Sequence, residues 1–587
     1  MPKLSRRTVL LAGAGSLALL TLGATPETIR TARITDAALR TTADRAIRMT
    51  GTTLEQVAAP SGSTGPAVTS STAGYRRLSA SPGYPLVVRT DLAAARSGRD
   101  STRTALASIV QFTDLHIVDA QSTMRFEYFV ETDSSAFRPH EALGTHGASQ
   151  LVARVNQLGA GPFSGRPFDA LVCTGDNSDN NETVELEWFL TVMNGGTITA
   201  NTGAAEWEGV QNSGNPLFYN PESKARDRYK DVGFPQLDDF FSMVTTPHTS
   251  EGLKTPWYSV YGNHDDSIGG TIPSSWGALE QIYTGSKKFT TFASEAANKA
   301  ILSAFSREHP VGVGESVKLG QQWTVTPDER RKPFTPNDFI AAHLETEATG
   351  PGPIGHGFDS ASLESSIAYY SFSIAPGVTG ISLDSTNRAG FTYGSLGDAQ
   401  FRWLEATLRA GSRRYYDATG AATTHSVDDE LFVIFSHHPS GSMTNGLPSP
   451  DRPTEARHLG PEVVSLLQRF PNVVAWVNGH THSNNITPRP GPTPARSFWE
   501  INTASHIEFP QQARIVDVCD NKDGTLSLFT TLIESAAPVR GSYSDGSQAS
   551  LASLYREFSL NDLYYTASHE GQPEDHNTEL LLKNPLA

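Results

Sequence analysis

Residues 104–116 read TALASIVQFTDLH, a largely apolar run that ends in Asp114 and His116. Such a run predicts a buried strand. An Asp and a His two positions apart, just past its end, are either ordinary turn residues or metal ligands, and alone they decide nothing. Four more runs repeat the arrangement. FDALVCT is followed by Gly175 and Asp176, PWYSVY by Gly262, Asn263 and His264, ELFVIF by Ser436, His437 and His438, and NVVAWVN by Gly479, His480 and His482. Helical patterns lie between several of these runs: HGASQLVARVNQLG, GDAQFRWLEATLRAG and PEVVSLLQRF. Alternating strands and helices predict an α/β sandwich. Two hairpins, IAYYSFSIA with VTGISLDST and ARIVDVCDNKDGTLSLFTTLI with Asp-Gly at its turn, make the expected sheets mixed.

Each run therefore delivers metal-capable groups at its carboxyl end, where open α/β sheets place ligands. Gly175, Gly262 and Gly479 permit tight turns and close backbone approach. Each motif has a bland reading taken singly: Asp-x-His as a surface turn, Gly-Asp as a common turn, paired His with Pro as loop chemistry. Jointly these readings fail, because all five would have to fall by accident just past an apolar run. Carboxylates, one side-chain amide and imidazoles, without thiolate, suit Mn, Fe or Zn. There are too many ligands for one ion, and a shared carboxylate can hold two ions roughly 3.5–4 Å apart.

The order D-x-H, GD, GNHD, HH, GHTH resembles the calcineurin-like metallophosphoesterase superfamily over residues 105–535, with long interruptions. The resemblance implies a four-layer αββα sandwich of two mixed sheets. It implies that Asp114, His116 and His482 bind a first metal, that Asp176 bridges, and that Asn263, His437 and His480 complete a second. It favours His437 over His438 as the ligand, leaving His438 as a substrate contact, although the sequence leaves the order of the pair open. It implies a substrate-facing, catalytic His264 whose imidazole is oriented by Asp179. Purple acid phosphatases carry a Tyr ligand three residues after the bridging Asp; Asp179 stands here, which argues against a purple ferric centre. Arg388, in LDSTNRAGFTYGSLGDAQFRWLEATL, is either a substrate-phosphate contact or a surface Arg. The implied chemistry is phosphate-ester hydrolysis by metal-bridged hydroxide. A phosphodiester or nucleotide-type substrate is favoured over a phosphomonoester, and a catalytically silent surface-binding module is the reading from another class.

The chain has 587 residues, 38% apolar and 18% charged, with a formal net charge of -16. An acidic surface disfavours stable nucleic-acid binding and anionic membrane. SRRTVLLAGAGSLALLTLGA begins with Arg6 and Arg7 and continues in a short Gly/Ala-rich apolar run, so residues 1–24 resemble a twin-arginine signal. The expectation is export through that machinery, to the envelope or beyond, with no membrane span in the mature protein. Cys173 and Cys519 lie in strand-like runs and are expected as buried thiols rather than a disulfide framework. Residues 25–104 read as an extension with one strand near YPLVVRTDL, residues 195–250 and 267–365 as insertions shaping access or extending the rim, and 536–587 as a tail packed on the core.

Overall fold

The computed structural model describes residues 45–49, 74–131, 133–273, 279–289, 322–345 and 350–587. The segment expected as an export signal and most of the N-terminal extension lie outside these residues. In chain order the strands that matter are Val87–Arg89 (β1), Thr104–Phe112 (β2), Ala170–Cys173 (β3), Trp257–Ser259 (β4), Tyr370–Ala375 (β5), Val378–Ser382 (β6) and Leu431–Phe435 (β7). They continue with Val473–Asn478 (β8), Asn485–Arg489 (β9), Phe498–Asn502 (β10), Gln512–Asp520 (β11), Thr525–Glu534 (β12) and Thr578–Lys583 (β13).

A seven-stranded sheet has the order β1-β13-β12-β11-β2-β3-β4, and a six-stranded sheet the order β5-β6-β7-β8-β10-β9. Both are mixed. In the first, β2, β3 and β4 run parallel while β11 pairs antiparallel with β2. In the second, β6, β7, β8 and β10 run parallel, and β5 and β9 close the edges antiparallel.

The period-2 pattern of each strand sets the layers. From β2, Ala107 and Ile109 enter the interface between the sheets, with Val172, Val433, Phe435, Val477 and Ile501. Val110 and Phe112, on the other face, pack under Gly144–Leu158 (α1), Thr183–Asn194 (α2) and Pro336–Glu345 (α3) through Leu151, Phe189 and Phe339. On the far side, Phe432, Ile434 and Trp476 meet Leu404 and Leu408 of Asp398–Ala410 (α4) and Val463 and Leu466 of Gly460–Leu467 (α5). Each fully buried aliphatic side chain contributes about 1.5–3 kcal/mol. A strand whose two faces are both apolar is therefore held from both sides.

The first sheet reaches beyond residues 105–535. β1, from the N-terminal extension, pairs parallel with β13, from the C-terminal segment. That segment is more than a tail packed on the core, because β13 is an inner strand and Gln548–Leu560 (α6) packs beside α1 with the Tyr555 ring against Gly147. The insertion at 195–250 builds an aromatic cluster of its own, with Trp207, Tyr219, Tyr229, Phe234 and Phe241. From the second insertion, Phe334, Phe339, Ile340 and Phe358 join the outer face of the first sheet, so its described part extends that layer. Cys173 and Cys519 are free and buried. Among the described residues no helix is long and apolar enough to cross a membrane.

Candidate metal centre

Five loops leave the carboxyl ends of β2, β3, β4, β7 and β8 and meet at one rim. The first two run side by side: the Asp114 N–H donates to the Gly175 carbonyl at 3.1 Å and the His116 N–H to the Asp176 carbonyl at 2.9 Å. Gln111, at the end of β2, crosses between the sheets. Its amide donates to the Asn478 carbonyl at 2.8 Å and its own carbonyl accepts from the Thr503 hydroxyl at 2.6 Å. Asp265 joins the second loop to the third by accepting from the backbone N–H groups of Ser178 at 2.9 Å and Gly262 at 3.0 Å. The approach leaves no room for side chains: a Cβ on Gly479 would stand 1.9 Å from Thr113 Oγ1 and 2.4 Å from Asp114 Oδ2.

The backbone marks the same residues. Asp114, His116, Asp176, His480 and His482 all adopt positive φ, between 42° and 70°. L-residues enter that region rarely, at a cost of order 1–3 kcal/mol each, and such strain concentrates at functional sites.

The side chains converge in two adjoining groups. In the first, His116 Nε2 lies 3.2 Å from His482 Nε2, and these nitrogens stand 3.8 and 3.4 Å from Asp114 Oδ1. In the second, His437 Nε2 lies 2.9 Å from Asn263 Oδ1 and 3.3 Å from His480 Nδ1. Asp176 Oδ2 stands between the groups, 3.7 Å from His116 Nε2 and 3.0 Å from His437 Nε2. All seven residues expected as ligands thus meet in one cluster.

Hydrogen bonding shows what would fit between them. His116 Nδ1 faces the Asp179 carboxylate at 2.7 Å and His482 Nδ1 faces that of Glu508 at 2.9 Å. Each Nδ1 carries a proton toward its carboxylate, so the two Nε2 atoms point at each other. His437 Nδ1 donates to the Thr174 carbonyl at 2.9 Å, and the Asn263 amide donates to the Gly270 carbonyl at 3.1 Å. The His437 Nε2 therefore faces the Asn263 oxygen. Nitrogens and oxygens crowded in this way favour a positive charge among them, and this donor set suits a borderline transition metal. Charge preferences agree. Burial opposes charge on His437, but Asp176 beside it raises its pKa to about 9; burial likewise opposes charge on His482, and Glu508 and Asp114 raise it to about 10.

Other expected site residues are placed as follows. His438 spends both ring nitrogens, Nδ1 on the Ser385 hydroxyl at 2.8 Å and Nε2 on the Thr392 carbonyl at 3.0 Å, which leaves no lone pair for an ion. His264 is fixed by its Nδ1, 2.7 Å from the Asp179 backbone carbonyl, and its side chain is 13% exposed. One expectation needs correction: the Asp179 carboxylate serves His116 and lies 3.5 Å from His264 Nδ1, so it is the backbone of Asp179 that orients His264. Arg388 is part-buried, its side chain 17% exposed. Its guanidinium is paired with Asp384 at 2.8 Å and Asp266 at 3.2 Å and lies over the Tyr261 ring.

Sequence reasoning missed Glu508, Arg125, Arg138 and Asp265. Asp265 was visible in principle, as the last residue of the GNHD motif. Glu508 lies 26 residues beyond His482, and no local pattern announces it.

No family model matches the chain, and no curated protein is similar to it. Among solved structures, a dimetal phosphatase from Danio rerio is 11% identical, with 73% of this chain and 99% of that chain covered and a TM-score of 0.33. A likeness that distant speaks for no individual residue, so the site is read from its own geometry.

Proposed function

We propose that this chain is a binuclear-metal phosphoesterase of the calcineurin-like metallophosphoesterase type, with a four-layer αββα core. The observation that carries the reading is the convergence of imidazole nitrogens, carboxylates and the Asn263 oxygen around Asp176. Asp114, His116 and His482 would hold one ion, Asn263, His437 and His480 the other, and Asp176 would touch both. Ions held there would supply Lewis acidity and a nucleophile at neutral pH. His437 is preferred to His438 because His438 has no nitrogen to offer.

The protein groups divide the remaining work. Asp179 and Glu508 keep the Nδ1 protons on His116 and His482 and so aim their Nε2 atoms inward. His264 donates from Nδ1 to the Asp179 carbonyl, and its Nε2 has no partner among the described residues. Burial holds the His264 pKa well below the ordinary imidazole value; a phosphate anion beside Nε2 would favour the protonated ring, which can bind a phosphate oxygen or pass a proton to the departing one. The loose transition state of phosphoryl transfer asks mainly for position and positive charge, which this constellation is built to provide.

The substrate is a phosphate ester. A diester or nucleotide-type ester is preferred on the form of the SHHP and GHTH motifs, with a monoester as runner-up. A silent binding module would not need its whole ligand set, and here every member is in place. The test is hydrolysis of bis(p-nitrophenyl) phosphate and p-nitrophenyl phosphate by protein loaded with Mn, Fe or Zn. Activity should vanish on chelation and return with metal. Metal-loaded protein that cleaves neither ester would defeat the proposal.

A further inference from the structure

Behind the His116 and His482 pair lies a second ring of charge that none of the motifs contains. Arg125 clasps the Asp179 carboxylate through Nη1 and forks onto Glu141, with Nε to Oε1 at 3.1 Å and Nη2 to Oε2 at 2.8 Å. Arg138 donates to Glu508 Oε1 from Nε at 2.8 Å, and its Nη2 stands 2.7 Å from the same oxygen. The two arginines are joined. The Arg138 backbone N–H donates to Glu141 Oε2 at 2.8 Å, and both guanidiniums donate to the Ser135 carbonyl at 3.2 Å. Arg125, Arg138, Glu141 and Asp179 are all buried. One closed chain of bonds thus runs from the His116 imidazole through Asp179, Arg125, Glu141, Arg138 and Glu508 to the His482 imidazole. Among the described residues the second group has no counterpart, since His437 rests on the neutral Thr174 carbonyl and Asn263 on the Gly270 carbonyl.

We propose that Arg125 and Arg138, coupled through Glu141, are positioning residues that set the spacing and aim of the His116 and His482 nitrogens, and hence the strength of one metal position independently of the other. The proposal rests on the metal reading above. Its physical basis is that a carboxylate behind a ligand imidazole fixes the ring, and something must fix the carboxylate. Arg125 does so by spanning two carboxylates, with Nη1 on Asp179 and a fork on Glu141, and Arg138 by setting two nitrogens against one Glu508 oxygen, an arrangement with direction as well as charge that a lysine cannot reproduce. Partners of this kind are worth 10–100-fold in metal affinity.

The test is cobalt(II) titration of the full chain, followed by visible absorption and calorimetry. Arg125→Gln and Arg138→Gln strand buried carboxylates and can unfold the chain, so Arg125→Lys and Arg138→Lys, which keep the charge and lose the fork, carry the comparison. Wild type is expected to bind two equivalents. In the lysine variants one equivalent should weaken 10–100-fold with shifted absorption bands, while the other keeps its affinity and spectrum. Folded lysine variants that bind both equivalents as wild type does would overturn the brace and leave the metal reading standing. Equal weakening of both equivalents would also overturn it, as general loosening. A wild-type chain that binds no cobalt would overturn the metal reading and the brace together.

Discussion

At the scale of single residues, the proposed function divides the site into groups that would hold metal and groups that would meet substrate. Asp176 Oδ2 lies 3.7 Å from His116 Nε2 and 3.0 Å from His437 Nε2. Asp176→Asn should therefore cost both ions, and metal analysis of the purified variant should show metal and activity falling together. His264→Ala should keep metal while kcat falls by about 10²–10⁴, the usual worth of a positioned acid or base. The loss should be smaller for aryl than for alkyl phosphates, because a good leaving group needs less protonation. Loss of metal in step with activity would make His264 a ligand, as its proximity to His116 and Asp176 allows. Asp179→Asn has a different expected outcome from the one the sequence suggested. The carboxylate holds His116 while the backbone carbonyl holds His264. The variant should weaken metal binding and leave the leaving-group dependence unchanged, as metal titration beside rates on the two ester types would show. The ligand residues were legible because each follows an apolar run directly. Glu508, Arg125 and Arg138 were not, because they act through space from segments with no strand-end signal.

Among the elements, strands were the most readable. β2, β3, β7 and β8 carry apolar residues on both faces because both faces are covered, and that doubles the signal in a short run. The β11–β12 hairpin was legible from Asp523-Gly524, where Gly524 takes φ of 86°. β1 falls within YPLVVRTDL, where a strand was expected, but its pairing with β13 was not legible. Val87–Arg89 is three residues long, and Thr578–Lys583 lies 44 residues beyond the end of β12, so their pairing rests on no local pattern. Charge holds that edge. Glu579 on β13 accepts from Arg99 at 2.9 and 2.7 Å, from Arg103 at 2.7 Å and from the Ser527 hydroxyl at 2.7 Å. Burial pushes its pKa up, but the Arg99 and Ser527 hydrogen bonds and the Arg103 charge outweigh burial and hold it below the ordinary value. A carboxylate lowered on folding adds stability above its unfolded pKa of about 4.3, and that stability fades as pH falls through the lowered value. Glu579→Gln should cost about 1.5–3 kcal/mol at pH 7 by denaturant unfolding. The difference from wild type should shrink below pH 4; a difference that does not change with pH would show that packing, not charge, holds the edge.

On the scale of the whole molecule, the two insertions do different things from a bare rim. One supplies an aromatic cluster that packs against α6, and the described part of the other thickens the layer under α3. Aromatic composition announced the first, while the second was hidden because its apolar residues are spread over a long polar segment. Export belongs to this scale too. We propose it on Arg6 and Arg7 ahead of a short apolar run. Replacing both arginines with lysine should hold the protein in the cytoplasm, as fractionation would show; unchanged export would mean that another route is used. The claim on which everything else depends is that five strand ends assemble one two-ion site. Anomalous diffraction at the metal edge, on crystals of the metal-loaded protein, tests it most directly. Two peaks are expected, one touching Asp114, His116 and His482, the other Asn263, His437 and His480, with Asp176 touching both. A single peak at other residues, or no peak within this cluster, would contradict it.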